Sequence, residues 1–577
     1  MHRVLESYVN DFSRNNGFDG REVFEKFELF VNYCIVTRFV SDRFDVVDIT
    51  SSGGEVGIDG AAVIIGEDLV LSPDEAREKF DSRVKDVKVS YIFTQSKNSK
   101  KFKRNDILNF GDAVQDIIST ENKISQDEWL EEVSEIHKIV IEYASKIRDG
   151  LPECHMFFAT SGDWSKSKDD NLEATIQSVV ENIKNLNYTQ KPKLLPLGFT
   201  RLKDYWTATT SPVEASFPAA KHLDVPRMED IQQAYLAVVK AREYVDHVLK
   251  GEEGRIKPGI FNQNVRHFLG TSNDVNEKMI SSLKNTSKKN RFAILNNGVT
   301  IVSPEVKIMG SQVTIRDYQI VNGCQTSHVL HHSESDLDEN VMVTVKIIEA
   351  ESKEIVDEIV EATNSQTKID DHQMYAIDSH VREIQDYFEA HIDDQEDRDK
   401  VYFERRSKEY NNTSIPNIRR FDIYLLAKVF AAMFLDRPHV STAYAGQLFE
   451  GKSKSVFDPK YNCIAYYTSA LAYYKVFLLF NNGEYIDRDF SKYKWQILTV
   501  MKYQVGGSSK IDWSNDGQVE AYCSKIIDQF QKPTSECAPA VKDAIAAIKP
   551  FHPASRDTRK TKAFTDDLVD AVSSSSD

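Results

Sequence analysis

The chain contains 577 residues, of which 41% are hydrophobic, 10% aromatic and 28% charged. These values are typical of globular proteins and exclude collagen, a disulfide-rich miniprotein and a chain that is disordered throughout. The formal net charge is −17, from 72 basic and 89 acidic residues. Because a body of this charge repels phosphates at long range, a protein that coats nucleic acid indiscriminately is not expected.

The cysteines and apolar segments predict a cytoplasmic protein. The six cysteines include no CxxC pair, so we expect free thiols in a reducing compartment. The N-terminal residues carry acids and no apolar core, so no signal peptide is expected. The longest apolar runs, 423–435 and 464–480, contain Lys428 and Lys475 and are shorter than the roughly 20 residues that span a bilayer. They predict buried helices and no membrane contact.

Residues 1–206 predict one α/β domain. A helix is expected over 22–38, followed by strands over 44–49, 58–65 and 87–95, with the charged stretch Asp74–Asp86 as an insertion. Helices over 105–119 and 126–148, a strand over 154–159, a helix over 171–186 and a strand over 192–198 complete it. A linker rich in Thr, Ser, Pro and Ala is expected over 207–222.

The rest of the chain predicts three further regions. Residues 223–440 are expected to form a mixed α/β domain, with a helix over 228–249, strands over 290–350 and helices over 352–396. A helical region is expected over 441–554. The polar stretch 555–577 predicts a disordered tail.

The first group of candidate catalytic residues lies on the predicted strands near the N-terminus. Asp59 follows the glycine-rich turn of GGEVGIDG, and the strand VSYIFTQSK carries Gln95 and Lys97. Residues two apart on a strand face the same side, so Gln95 and Lys97 point together and Asp59 can reach them from the adjacent strand. Glu28 is an acid on the apolar face of the first helix and needs a partner there; Glu25 is the alternative helix acid.

This set of residues suits metal-dependent phosphodiester hydrolysis. Mg²⁺, or Mn²⁺ in its place, prefers oxygen ligands, which Asp59, the Gln95 amide and Glu28 supply. Lys97 offers a cation for the attacking water and for the charge on the phosphate. The alternatives are an ordinary exposed strand end, and a nuclease fold that binds without cleaving.

The pattern Glu28, Asp59, Gln95-x-Lys97, on a helix–three-strand–helix–strand order, resembles the PD-(D/E)XK nuclease superfamily and its Mrr-like branch. The resemblance implies a restriction-endonuclease-like αβββαβ core and a Mg-dependent endonuclease. Gln95 departs from the superfamily's acid, which implies weaker metal binding. Next to this site, a basic cluster is expected either to grip the nucleic-acid backbone or to form a solvated loop. It comprises Lys100, Lys101, Lys103 and Arg104.

Three carboxamide-rich motifs mark the middle of the chain: ILNNGVTIV, IVNGCQTSHVL and EATNSQTKI. Their side chains are expected either to satisfy turns and helix ends, or to form a pocket for an anion, a ligand or nucleic acid. A pair of arginines in VYFERRSKEY can bind phosphates or pair with neighbouring acids. The candidate pocket comprises Asn297, Asn322, Gln325, Thr326, Asn364, Gln366, Arg405 and Arg406.

In the order NVRxFLG, VN, NNGxT, NGxQT, NxQ and ExR, the motifs over roughly 225–440 resemble the AIPR family, the abortive-infection phage-resistance proteins of bacteria. The resemblance implies anti-phage defence but gives the carboxamide motifs no chemical role. We therefore expect a defence nuclease that cleaves nucleic acid, DNA rather than RNA, with a sensing or binding module. A homo-oligomer and a phage or defence-system protein partner are also expected. The alternative is an inactive protein that binds nucleic acid or senses a phage component.

Overall fold

In the computed structural model the chain divides into two units, Met1–Leu5 with Val31–Asp370, and Glu6–Phe30 with Asp371–Asp577. Both helices and strands are abundant, which confirms a mixed α/β protein. The structure describes residues 1–40, 42–51, 57–82, 86–119, 128–164, 170–251, 254–257, 259–261, 274–364, 378–392, 400–405, 409–410, 413–443, 445–449, 456–482, 486–508 and 510–573.

The N-terminal part of the first unit contains a five-stranded mixed sheet in the order β2-β1-β3-β4-β5. β1 is antiparallel to both β2 and β3, whereas β3, β4 and β5 are mutually parallel. Strands β1 and β3 are buried almost throughout, which explains their continuous apolar sequences. Most of α1 (Arg3–Asn16) and the first part of α2 (Val23–Val36) belong to the second unit. The elements that follow are β1 (Gly60–Ile65), β2 (Asp68–Val70), α3 (Pro73–Asp81), β3 (Val89–Lys97), α4 (Arg104–Ile117), α5 (Glu128–Glu142), β4 (Glu153–Thr160), α6 (Asp170–Asn185), β5 (Gln190–Leu197) and α7 (Phe199–Thr210).

Two expectations for this region differ from the structure. The predicted strand over 44–49 is wrong, because Val46–Ile49 forms a 3-10 helix whose first turn is capped by the Asp45 carboxylate. The three strands between α2 and α4 are instead β1, the short hairpin partner β2, and β3. The charged stretch after β2 forms helix α3, which Ser72 caps and Pro73 begins.

The same unit contains a seven-stranded sheet in the order β11-β8-β12-β7-β6-β10-β9. All neighbouring pairs are antiparallel except β8 and β12. The elements are β6 (Glu214–Asp224), β7 (Gln233–Lys240), α8 (Ala241–Glu243), α9 (Asp274–Lys284), α10 (Thr286–Lys289), α11 (Phe292–Leu295), β8 (Val299–Ser303), β9 (Glu305–Met309), β10 (Gln312–Arg316), β11 (Gln319–Asn322), α12 (Cys324–His332), β12 (Met342–Glu349) and α13 (Lys353–Asn364).

The linker predicted over 207–222 and the helix predicted over 228–249 are both wrong. Most of residues 207–222 lie in the end of α7 and in β6, where Ala215, Phe217 and Ala219 are buried in the sheet core. The segment 228–249 is not one helix, because strand β7 is followed by α8 and a π-helical turn over Tyr244–Leu249. The alternation of buried and exposed residues in β7 has the period of a strand.

The second unit is mainly helical, with one pair of short parallel strands, β13 and β14. Its core is large and rich in aromatic residues. Its elements after residue 371 are α14 (Ser379–Ile392), β13 (Tyr402–Glu404), β14 (Arg420–Asp422), α15 (Ile423–Phe434), α16 (Pro438–Ala443), α17 (Cys463–Asn481), α18 (Lys494–Met501), α19 (Asp516–Phe530), α20 (Thr534–Ile548), α21 (Arg556–Arg559) and α22 (Lys562–Ser573).

The predicted disordered tail is wrong over most of its length. Phe564, Leu568 and Val572, spaced four residues apart on α22, are buried in the core of the second unit. Helix α17 is long and apolar enough to cross a membrane, but 83% of its apolar window is buried inside the protein. This burial is consistent with a core helix of a soluble protein.

Candidate active site

Asp59 lies at the edge of the first sheet where β1 begins and β3 ends. The two strands are antiparallel with Gly60 opposite Thr94, and the Asp59 backbone N–H donates to the Thr94 carbonyl at 2.9 Å. Asp59 therefore stands beside Gln95, and Lys97 follows at the last position of β3. Strand pairing thus brings three of the candidate catalytic residues to one edge.

The Asp59 carboxylate accepts three hydrogen bonds, all at Oδ2. The Gln95 amide Nε2 and the Ser96 backbone N–H each donate at 2.7 Å, and the Ser96 hydroxyl donates at 3.0 Å. Oδ1 accepts no hydrogen bond from the described residues, so one carboxylate oxygen is held and the other is left for a further ligand.

Burial raises the pKa of the Asp59 carboxyl above its ordinary value. The Ser96 N–H, the charge of Lys97 and the side chains of Ser96 and Gln95 oppose this shift without cancelling it. The neighbouring groups therefore offset only part of the free-energy cost of burying the charged carboxylate. A further cation at this point would lower the pKa of Asp59 and stabilise its charge.

Gln95 contributes an amide oxygen to which no described residue donates a hydrogen bond. The Gln95 residue is 1% exposed, and its Oε1 is buried, while Nε2 is held by Asp59. A buried acceptor without a donor costs about 1–3 kcal/mol, so such atoms are rare in folded proteins. An oxygen-seeking cation would satisfy Oε1, and the residues present therefore fit a Mg²⁺ or Mn²⁺ ion.

A layer of polar residues behind the site was missed by the sequence analysis. Asn32, which is fully buried, donates to the Thr50 hydroxyl at 2.9 Å and to the Asp59 carbonyl at 3.1 Å, and accepts from the Thr94 hydroxyl. A Cβ on Gly60 would lie 2.5 Å from both polar atoms of Asn32. An Asn on an otherwise apolar helix face was the only signal that could have identified this layer.

The two helix acids lie in the unit Glu6–Phe30 with Asp371–Asp577, whereas Asp59, Gln95 and Lys97 lie in the other unit. Glu25 accepts charged hydrogen bonds from Arg21 at 3.1 Å and from Arg488 at 2.7 Å. Burial raises the pKa of Glu25, but the Glu22 N–H and the two arginines outweigh it and lower the pKa overall. Glu28 is half-buried. The Glu25 carboxylate is therefore held in ion pairs of its own unit.

The basic cluster follows directly after β3. All four of its residues are exposed, and none forms an ion pair with another described residue. Lys103 is the N-cap of α4 and provides no side-chain cap for the first N–H groups of this 14-residue helix. Positive side chains at the positive end of a helix dipole are unfavourable alone and favourable beside an anion.

The first two carboxamide motifs lie side by side in the second sheet. Gly298 and Gly323 follow Asn297 and Asn322, and a Cβ on Gly323 would lie 2.8 Å from the Gly298 carbonyl. Gly323 has φ +99° and caps α12, so only glycine fits this close approach without strain. The Asn297 side chain is exposed. The structure therefore brings the two Asn-Gly turns together.

Other members of the candidate pocket make structural contacts. Asn322 donates to the Thr363 backbone carbonyl at the end of α13, and the side-chain Oε1 of Gln325 accepts from the Asn276 amide at 2.8 Å. Thr326 is buried in α12, with its hydroxyl 3.9 Å from the Met279 sulfur. These bonds are internal to the first unit.

The last members of the candidate pocket lie elsewhere. Arg405 is buried in the second unit and donates to the Gln385 side chain at 3.1 Å. Gln366, Arg406 and the side chain of Asn364 lie outside the described residues.

No curated protein and no solved structure matches the chain significantly. One family model matches, described as AIPR protein, over residues 261–540. The matched region begins later than the motif-bearing segment 225–440 and extends further into the helical C-terminal part. Residues 261–540, just under half of the chain, are therefore similar to AIPR proteins.

Proposed function

We propose that this protein is a metal-dependent nuclease that acts in anti-phage defence, with its active site at Asp59, Gln95 and Lys97. The single observation that carries the proposal is the buried Gln95 Oε1, which has no hydrogen-bond partner within the described part of the chain and stands beside a carboxylate with one oxygen left for a ligand. Two such oxygens on adjacent strands suit a hard divalent cation.

In this proposal Asp59 and Gln95 hold Mg²⁺ or Mn²⁺. When bound, the ion supplies a Lewis acid and a water of lowered pKa. Lys97 is exposed at the end of β3, where its ammonium can hold the attacking water and offset charge on the phosphate. The restriction-endonuclease-like αβββαβ core belongs to the same proposal.

The basic cluster supplies a phosphate contact for the proposed substrate. Four exposed cations at the uncapped start of α4 can bind the backbone of nucleic acid, with DNA favoured over RNA. Such contacts carry no sequence information, so binding should weaken steeply with salt. Because the chain as a whole carries a net charge of −17, this affinity for phosphates is expected only at the basic cluster.

The defence role is inferred from the similarity to AIPR proteins over residues 261–540. In this proposal the region senses or binds a phage or defence-system component in the cytoplasm, in a homo-oligomeric protein. The carboxamide motifs are proposed only as elements that shape this region, because the bonds of Asn322 and Gln325 are internal.

A cleavage assay on single- and double-stranded DNA and on RNA, with Mg²⁺, Mn²⁺ or EDTA, tests the activity. We expect Lys97→Ala to lower the metal-dependent rate by about 100-fold or more with an unchanged unfolding midpoint. Lys184→Ala is the matched control, because Lys184 is an exposed lysine on α6 of the same unit. Equal loss in both variants, or none in Lys97→Ala, would contradict the proposed role of Lys97.

A second candidate function is a nuclease-like protein that binds nucleic acid without cleaving it. It is favoured by the three hydrogen bonds that already satisfy Asp59 Oδ2, and by Gln95 in place of an acid. Such a protein would bind nucleic acid with steep salt dependence but show no metal-dependent cleavage. Binding that survives Asp59→Asn, together with absent cleavage by the unmodified protein, would favour this alternative.

A further inference from the structure

A second group of potential metal ligands lies in the helical unit. His380 and Glu383 are three residues apart on α14, and therefore share one face of that helix. Cys463 is the first residue of α17, directly after the N-cap Asn462. One histidine, one carboxylate and one thiol thus come from two helices of the same unit.

The geometry of the three side chains is compact. His380 Nδ1 and Glu383 Oε2 are 3.2 Å apart, and one ligand atom from each of His380, Glu383 and Cys463 lies within 4.8 Å of the other two. Tetrahedral zinc ligands at about 2.0–2.3 Å from the metal are spaced at comparable distances. Within the described part of the chain, this is the only group of three such residues that meets this distance.

The histidine carries an unexplained buried nitrogen. His380 is 4% exposed, and its Nε2 is buried with no hydrogen-bond partner among the described residues. A histidine with a purely structural role normally satisfies both ring nitrogens when it is buried. A metal bound to the imidazole would supply a partner that the described residues do not.

We propose that His380, Glu383 and Cys463 bind a zinc ion. A donor set of imidazole nitrogen, carboxylate oxygen and thiolate sulfur is borderline-soft, which selects Zn²⁺ over Mg²⁺ or Ca²⁺. Three protein ligands leave a fourth tetrahedral position for water or another donor. The site would join the start of α17 to α14, and it is independent of the proposed nuclease site.

The local charges favour a cation here. The negative charge of Asp386 acts on Cys463, and His380 interacts electrostatically with Asp458. The carboxylate of Glu383 also acts on Cys463. Zinc binds the thiolate form of cysteine, so zinc uptake should release a proton.

Cobalt substitution in the full-length protein tests the proposal. After chelation and addition of Co²⁺, we expect one equivalent to bind with the absorption of thiolate-to-cobalt charge transfer, and Zn²⁺ to displace it. Cys463→Ser should abolish this absorption, and His380→Gln should weaken Zn²⁺ binding by more than about 100-fold, beyond the usual effect of losing an outer-shell partner.

The matched control is Cys537→Ser, because Cys537 is a buried thiol of the same unit that donates to backbone carbonyls, as a serine hydroxyl can. This variant and Asp59→Ala should keep the absorption. Loss of the band in Cys537→Ser, its persistence in Cys463→Ser, or no stoichiometric Co²⁺ binding by the unmodified protein would overturn the proposal.

Discussion

Replacing Gln95 with glutamate tests the environment of Asp59 and the proposed metal site together. Gln95 Nε2 donates to Asp59 Oδ2 at 2.7 Å, so Gln95→Glu places two carboxylates at about this separation in a buried site. It also introduces the acid whose absence sets this position apart from the PD-(D/E)XK pattern that the sequence resembles. The substitution changes the side-chain volume little, so its effect should be electrostatic.

The magnitude follows from two opposing costs. Two like charges 4 Å apart repel by about 4 kcal/mol at an effective dielectric constant of 20, and by more at shorter range. The pair can avoid this by taking up a proton, which for a glutamate of ordinary pKa costs about 3–4 kcal/mol at pH 7, at about 1.4 kcal/mol per pH unit. We therefore expect the Gln95→Glu variant to lose about 2–4 kcal/mol of its free energy of unfolding at pH 7 without metal.

The sign of the pH dependence is fixed by the raised pKa of the pair. The folded state binds a proton that the unfolded state has lost, so the destabilisation is complete above the folded pKa, shrinks as the pH falls below it, and vanishes below the unfolded pKa. Burial already raises the pKa of Asp59, so the stability gap should close on the acidic side of neutrality. A bound Mg²⁺ should remove most of the loss at pH 7.

Thermal and urea unfolding of the unmodified protein, Gln95→Glu and the neutral control Gln95→Met, each at several pH values with and without Mg²⁺, would measure these effects. Gln95→Met should show neither the pH dependence nor the rescue by Mg²⁺. If Gln95→Glu were as stable as the unmodified protein at pH 7 in EDTA, the described proximity of the two side chains would be refuted. If Mg²⁺ had no effect, the proposed metal site would be refuted instead.

Three further substitutions test the packing around the sites. Gly60→Ala should lower the free energy of unfolding by about 1–3 kcal/mol, because the new Cβ would collide with the polar atoms of Asn32. An unchanged urea midpoint would contradict this close approach. Leu568→Ala should lower the free energy of unfolding by about 2–5 kcal/mol, since this side chain on α22 is fully buried. An unchanged unfolding temperature in calorimetry would indicate that the tail is not packed. Gly323→Ala should cost about 1–3 kcal/mol from its positive φ alone, and a stable variant would refute the described turn.

The sequence predicted the neighbourhood of the candidate site better than its details. The apolar runs fix β1 and β3, and pairing of these strands places Asp59 beside Gln95. The role of Ser96 was missed because the two-residue period of a strand assigns it to the opposite face. It reaches Asp59 through its backbone N–H and its hydroxyl, at the point where Asp59 precedes β1.

Elsewhere, short patterns were ambiguous between structures. The run at Val46–Ile49 has the composition of a strand, but the side chain of Asp45 caps a helical turn there. Residues 228–249 fit a helical period in parts, whereas β7 is decided by its pairing with β12 and β6. The serines at the end of the chain led to the prediction of a disordered tail, although Leu568 and its neighbours on α22 pack into the second unit.

The measurement that tests the account most directly is metal-dependent cleavage of nucleic acid by the purified protein and by its Lys97→Ala variant. The account predicts that the unmodified protein cleaves DNA with Mg²⁺ or Mn²⁺ and not with EDTA, and that Lys97→Ala loses this activity while its unfolding midpoint is unchanged. Cleavage by Lys97→Ala at the rate of the unmodified protein would contradict the account.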